Sequence, residues 1–300
     1  MSTGVLLMAH GTPSSLGEME PYLTKVRGGR PPSEDLLAEM CHNYGAIGGR
    51  SPLTDITLRQ RNGLRDLLGP RYKVLVGMRN WHPFIADVLR ALNWSSVSRL
   101  IGIPLAPQFS TLSVQKYVEA AEGALPAGIA LECVRSYHDH PLLVQAFAER
   151  IREAGGPAAD ELVVFTAHAL PERIIRGGDP YRDQVVSTAC AVASAAGIAR
   201  YDLAFQSAGR TPEPWIGPDL SVLLRERAAT GVRRVLVVPV GFVCDHTEIL
   251  FDIDVQAQAT AAESGIALRR TESLNTSATF LRLLADLVRT AAFDDTPTAT

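Results

Sequence analysis

A chain of 300 residues, 46% hydrophobic and 20% charged, has the composition of a globular protein with room for a large core and about two domains. A net charge of −3 and a pI near 6.2 provide no broad basic field, which argues against nucleic acid as a principal partner. The four cysteines (Cys41, Cys133, Cys190, Cys244) stand singly without C-x-x-C spacing, no run of about 18 apolar residues offers a membrane span, and no basic leader precedes the first apolar run, so a reduced, cytoplasmic setting is expected.

Residues 5–8 form a short apolar run that stops at Ala9-His10-Gly-Thr-Pro13, a strand entering a turn with His10 at its carboxyl end. A helix over 18–26 leads to Arg27-Gly-Gly-Arg30-Pro-Pro, where glycine and proline exclude regular structure and keep two guanidinium groups near each other. Residues 36–43 are amphipathic, Tyr44-Gly-Ala-Ile-Gly-Gly-Arg50-Ser51-Pro52 is a glycine-rich polar loop, and 53–68 reads as a helix. The buried strand 73–78 ends at Arg79-Asn80-Trp81-His82-Pro83, and a helix to residue 92 and a strand over 99–104 follow. A polar turn over 108–113 precedes a helix over 114–124 that carries Tyr117; 129–134 is a strand, 141–154 a helix, and Gly155-Gly-Pro-Ala-Ala the clearest linker.

After the linker, the strand 161–165 ends at Thr166-Ala-His168-Ala-Leu-Pro171. A helix over 183–196, a strand over 201–205, a Pro/Gly loop over 206–218 with Trp215, and a helix over 220–229 lead to the stretch that organises the chain, 235–256. Its first half is an apolar, β-branched run buried on both faces, closed by Pro239 and Gly241. Its second half is polar and helical in period: Asp245, Glu248 and Asp252 at i, i+3 and i+7 share one face, with Asp245 as N-cap and Glu248 at N3 of a capping box. A strand over 267–270, a helix over 277–289 and a disordered tail over 291–300 complete the reading.

Strands alternating with helices predict an α/β fold, and the chain echoes itself. Val5-Leu-Leu-Met-Ala-His10 and Val163-Val-Phe-Thr-Ala-His168 each end a strand in Ala-His before a proline turn, and Ile103-Pro104 and Val238-Pro239 follow in matched order. The expectation is two similar Rossmann-like, doubly wound halves with parallel sheets facing a central cleft. The divisions expected are 1–157, 158–275 with the His168/Glu248 site, a helix over 276–290 packing back on the first half, and the tail 291–300.

In such a fold His10, His168 and the Asp245/Glu248 turn all stand at carboxyl ends of strands and can converge on one cleft. Imidazole with carboxylate suits either a divalent first-row metal or proton abstraction near neutral pH. Trp215 sits in a loop too proline-rich for a helix and suits stacking on a flat ligand, while Arg27, Arg30, Arg50, Ser51 and Tyr117 offer donors for carboxylates. Each has a plainer reading: a capped, solvated acidic helix, structural histidines, a tryptophan that plugs a loop to the core. Taken together, a planar, apolar, polycarboxylate ligand plus a metal describes a porphyrin.

The chain resembles the ferrochelatase family along nearly its whole length. The resemblance is carried by Gly48-Gly-Arg-Ser-Pro-Leu53, Ala106-Pro-Gln-Phe-Ser-Thr111, Thr166-Ala-His-Ala-Leu-Pro-Glu-Arg173, Gln206-Ser207 with Pro214-Trp-Ile-Gly-Pro-Asp219, and Pro239-Val-Gly-Phe-Val-Cys-Asp-His-Thr-Glu248. It implies insertion of ferrous iron, a substrate, into a porphyrin in heme biosynthesis, with no iron–sulfur cluster and no integral membrane segment, by a monomer. By position, His168 and Glu248 are the catalytic pair and, with Asp252, the metal-binding set; His10, Arg27, Arg30, Ser51, Tyr117 and Trp215 are the substrate contacts. His10, where soluble bacterial members often have tyrosine, could be an axial ligand to inserted iron from the face opposite His168. Asn80 and Gln256 stand where those members often have histidine and glutamate, which weakens any second metal site. Length and the lack of an anchoring segment point to the soluble branch that uses coproporphyrin III rather than protoporphyrin IX. The competing readings are a sirohydrochlorin cobalt or nickel chelatase and a non-catalytic heme- or tetrapyrrole-binding protein.

Overall fold

The computed structural model describes residues 2–293. The first half contains β1 (Ser2–Ala9), α1 (Met19–Val26), α2 (Glu34–Ala46), α3 (Leu53–Leu68), β2 (Tyr72–Met78), α4 (Ile85–Arg90), β3 (Val97–Pro104), α5 (Val114–Glu122), β4 (Ala130–Cys133) and α6 (Pro141–Glu153). The second contains β5 (Leu162–His168), α7 (Glu172–Arg176), α8 (Tyr181–Ala195), β6 (Tyr201–Gln206), α9 (Leu220–Ala229), β7 (Arg234–Val238), α10 (Thr247–Leu250), α11 (Gln258–Glu263), β8 (Ala267–Arg270) and α12 (Ala278–Phe293). All pairings between these strands are parallel, and the two four-stranded sheets share one order, β2-β1-β3-β4 and β6-β5-β7-β8. The expected pair of similar α/β halves is therefore present, and the two Ala-His sequences end equivalent inner strands, β1 and β5.

The strands are continuous apolar runs because helices cover both faces of each sheet: Val5, Leu6, Leu7 and Met8 are all fully buried, as are Val235 to Val238. One core spans both sheets, joining Val5, Leu7 and Ile101 to Val163, Phe165 and Val238 through Phe147 of α6 and Val192 of α8. The last helix closes it. Phe280, Leu283, Leu284 and Val288 of α12 enter that core, Arg289 Nη2 donates to Leu67 O (3.1 Å), and His140 Nε2 meets Asp286 Oδ2 (3.2 Å).

Three expectations need correction. A short helix, α7, follows His168 where none was read. The α12 helix runs through Ala291, which is buried, to Phe293, so residues 291–293 of the expected tail are helical, and 294–300 lie outside the described residues. The acidic stretch is not one capped helix. Asp245 turns away to accept from Ser273 Oγ (2.8 Å) and Asn275 Nδ2 (2.7 Å), its own N–H donates to Asn275 Oδ1 (2.9 Å), and Arg270 pairs with it at 3.3 Å. Partners about thirty residues away thus outcompete the local cap. After the four residues of α10, a π-helical segment over Asp252–Ala257 widens the turn, with Gln256 N donating to Phe251 O at 2.9 Å.

A buried latch ties the halves together beside the cleft. Asp179 accepts at Oδ2 from Thr111 N (2.7 Å), Thr111 Oγ1 (2.7 Å) and Ser110 Oγ (3.1 Å), and at Oδ1 from Tyr181 N (3.0 Å). Gln184 Oε1 takes Phe109 N (2.7 Å), and Gln108 Nε2 reaches Val240 O (3.1 Å). Asp179→Ala leaves several of these donors unpaired out of water, so it is expected to cost about 3 kcal/mol and to lower the melting midpoint by roughly 5 °C or more. A wild-type midpoint would show that the latch is dispensable.

Candidate active site

The carboxyl ends of β1 and β5, the turns after β2 and β3, and the stretch after β7 open on a cavity of about 1260 Å³. This exceeds the usual size for a drug-like ligand, and its walls come from both halves. His10, Tyr22, Arg27, Arg79 and Tyr117 line it from the first half; His168, Arg210, Trp215, His246, Glu248 and Asp252 line it from the second.

At its floor His168 Nδ1 lies 3.0 Å from Glu248 Oε2, joining residues 80 apart in sequence. The same carboxylate oxygen is 3.7 Å from His246 Nε2, whose Nδ1–H donates to Cys244 O (3.0 Å). Glu248 therefore sits between two imidazoles. Tyr181 Oη donates to His168 O (3.0 Å) and Gln206 Nε2 to Glu248 O (2.5 Å), fixing both backbones from a neighbouring helix and strand. Burial alone would lower both histidines, but the charge and hydrogen bond of Glu248 prevail and raise them. Burial would likewise raise Glu248, and the two imidazoles overcome it and hold the carboxylate well below its ordinary range. With Nδ1 engaged, Nε2 is the ring atom His168 has left for a ligand.

His10 stands across the cavity in the other half. Tyr22 Oη (3.1 Å) and Asn80 Nδ2 (3.2 Å) both contact its Nε2. Its surface reaches the cavity's water, yet protein surrounds the ring, and this desolvation, reinforced by Arg79 and the other imidazoles, lowers its pKa to about 4 despite the opposing charge of Glu248. At neutral pH it is an uncharged imidazole.

Asp252 accepts a hydrogen bond from Ser207 Oγ. Burial, with help from the Glu248 charge, raises its carboxyl to about 6. Among the described residues no three His, Cys, Asp or Glu side chains gather closely enough to hold a metal ion. The expected set His168, Glu248, Asp252 is thus not an assembled cage: Glu248 is taken up between imidazoles and Asp252 by Ser207, although Asp252 remains in electrostatic reach of all three.

Trp215 lines the cavity and also packs against the buried cluster that contains Leu170, Tyr181 and Ile216, so it plugs its loop to the core while leaving a face on the cavity. Its indole lies flush on Gly209, where a Cβ would come within 2.6 Å of the ring. Tyr117 is buried beside Leu6 and Met8 with burial raising its phenol strongly. Arg27 reaches the cavity. Arg30 and Ser51 do not line it: Arg30 is exposed with Nε near Arg27 O (3.4 Å), and Ser51 is buried, its hydroxyl accepting from Leu53 N (3.3 Å) at the start of α3. Arg50 pairs with Asp55 at 3.3 Å, also outside the lining.

Sequence reasoning missed His246, Arg79, Tyr22 and Tyr44. Arg79 directly follows β2 and His246 precedes α10, so the strand-end rule that found His168 would have found both. No helix among the described residues is long and apolar enough to cross a membrane.

The family model for ferrochelatase matches residues 2–292. The chain is 42% identical to the ferrochelatase of Thermus thermophilus over 96% of its own length and 98% of that protein's. It is 42% identical to the ferrochelatase of Deinococcus radiodurans over 96% of both chains. It is 39% identical to the coproporphyrin III ferrochelatase of Halalkalibacterium halodurans over 95% of this chain and 96% of that one. Among solved structures, the sirohydrochlorin chelatase SirB from Bacillus subtilis subspecies spizizenii with cobalt shares the fold, with a TM-score of 0.59 at 10% identity over 98% of this chain and 97% of that one.

Proposed function

The chain belongs to the ferrochelatase family of chelatase enzymes, and from that premise we propose that it inserts ferrous iron into a porphyrin, coproporphyrin III ahead of protoporphyrin IX, releasing two protons in heme biosynthesis. The observation that carries this reading is the His168–Glu248 pair at the floor of a cavity walled by both halves. The lobes are taken as 1–157 and 158–275, with the helix over 276–290 returning to the first.

Two pyrrole N–H protons must leave as iron enters, so the ring needs a base beneath it. His168 accepts a proton at Nε2 while its Nδ1–H is held by Glu248, and the carboxylate stabilises the resulting imidazolium. His10, uncharged, lines the cavity from the other half, which supports its reading as a group that meets iron from the face opposite His168. Trp215 offers an apolar surface, and Arg27 and Arg79 are the lining cations contributed by the first half. The preference for coproporphyrin III draws support from the name of the Halalkalibacterium halodurans relative.

Purified protein mixed anaerobically with ferrous iron and coproporphyrin III is expected to convert free-base to metalloporphyrin absorbance faster than buffer. Binding without turnover would instead favour a carrier, and turnover of sirohydrochlorin with cobalt alone would favour the other chelatase reading.

Two variants probe the site. Because the Glu248 charge raises His168, Glu248→Gln lowers that pKa, and activity that needs the unprotonated ring then persists to lower pH. The acid limb of kcat/KM is expected to move to lower pH, with a lower plateau because the imidazolium has lost its counter-charge; an unmoved limb assigns it to another group. Asp252→Asn removes a carboxylate one turn beyond Glu248 and is expected to raise the apparent KM for iron about threefold to tenfold. An unchanged KM would remove Asp252 from the iron path.

A further inference from the structure

Glu39 of α2 and Arg210 of the 206–218 loop form an ion pair that crosses from one half to the other, and both residues line the cavity. The Arg210 side chain is 61% exposed, whereas that of Glu39 is 36% exposed with its Oε2 buried, so Arg210 reaches out over the cavity from a carboxylate set deeper in the wall. Among the described residues the Arg210 guanidinium has no other partner, since Glu39 meets it through Nη2. Its remaining fork of N–H donors is therefore open to the cavity, and that fork matches a carboxylate in two-point geometry. The other lining arginines stand in the first half. Arg79 Nη1 donates to Leu112 O (3.1 Å), and Arg27 stands on the wall of the first half.

Resting on the porphyrin reading above, we propose that Arg210 receives a substrate carboxylate and selects the four-carboxylate porphyrin over the two-carboxylate one, with Glu39 as the residue that positions it. A two-carboxylate porphyrin carries both acids on one edge, and cations on a single wall can serve it. A four-carboxylate porphyrin also presents acids on the opposite edge, and these need a cation on the second wall. Arg210 is the arginine that the second half contributes to the lining. Glu39 keeps the guanidinium turned inward before substrate arrives, and because the Arg210 head is largely exposed a substrate carboxylate can compete for it.

The test is porphyrin binding followed by quenching of free-base fluorescence, with coproporphyrin III and protoporphyrin IX as probes on the wild type, Arg210→Gln and Arg210→Lys. Arg210→Gln is expected to weaken coproporphyrin III about tenfold and protoporphyrin IX by less than about twofold, and Arg210→Lys to recover part of the loss by keeping the charge without the fork. Equal weakening of both porphyrins, or of neither, overturns the assignment while leaving the site itself intact. A wild-type protein that binds neither porphyrin overturns the porphyrin reading, and this inference with it.

Discussion

His168→Ala is expected to lower kcat/KM for iron insertion by about 10²- to 10⁴-fold, the range for loss of a positioned base. The variant removes the proposed proton acceptor, the imidazole whose Nδ1 is tied to Glu248 at 3.0 Å. The fold should survive, because the His168 side chain is 33% exposed and Glu248 keeps a second imidazole, His246, at 3.7 Å. That remaining contact spares the protein an unpaired charge, the usual cause of a large loss on breaking such a pair. Porphyrin affinity, which the walls supply, should change by less than about threefold. Single-turnover metallation read beside a porphyrin titration separates these effects. Retention of activity within about fivefold of wild type would sink the role of His168 and turn attention to His246.

What could be read from the chain and what could not divide along physical lines. That His168 and the Asp245/Glu248 turn share one cleft is legible because a buried strand announces itself by its apolar run, and an α/β sheet gathers the ends of such strands whatever their separation in sequence; their pairing is what the family resemblance implies. The alternation of strands and helices foretells an α/β fold and the echoed Ala-His strand ends two similar lobes, and the shared strand order displays them. Asp245 failed as a cap because capping rules are local, whereas Ser273 and Asn275 compete for its carboxylate from about thirty residues away. The π-helical turn after α10 was equally illegible, since side-chain periodicity presumes 3.6 residues per turn. Tyr22 and Tyr44 went unnoticed because an aromatic residue on a helix face has one pattern whether it fills a core or walls a cavity. Arg30 shares its loop with Arg27, which lines the cavity, while Arg50 and Ser51 both lie outside it; loop conformation, which spacing does not reveal, decides which donors turn inward.

Gly241→Ala tests how tightly the site depends on the backbone beneath it. Gly241 follows β7, and its N–H donates to Thr166 O (3.1 Å), which draws the chain against the end of β5. A Cβ there would lie 2.6 Å from Ala167 Cβ, 2.7 Å from Ala167 Cα and 3.5 Å from His168 N. Part of that contact is backbone, which no rotamer change can relieve, so β5 or the β7 turn must shift. The strain is expected to cost about 1–3 kcal/mol, seen as a lowered melting midpoint in a protein still folded at 25 °C. Because His168 is the next residue along the displaced strand, and Glu248 sits on the other side of the shifting contact, their 3.0 Å alignment is lost with it. A misplacement of about 1 Å is worth roughly 10²-fold in rate, so kcat should fall by about that factor while porphyrin affinity falls less. The same substitution at Gly45, a position in α2 with nothing within 4 Å, is the contrast: it meets open space and should leave stability unchanged or raise it by up to about 1 kcal/mol. Wild-type rates in Gly241→Ala would mean that the β5 end can yield without moving its histidine, and that the catalytic pair tolerates far looser placement than its geometry implies.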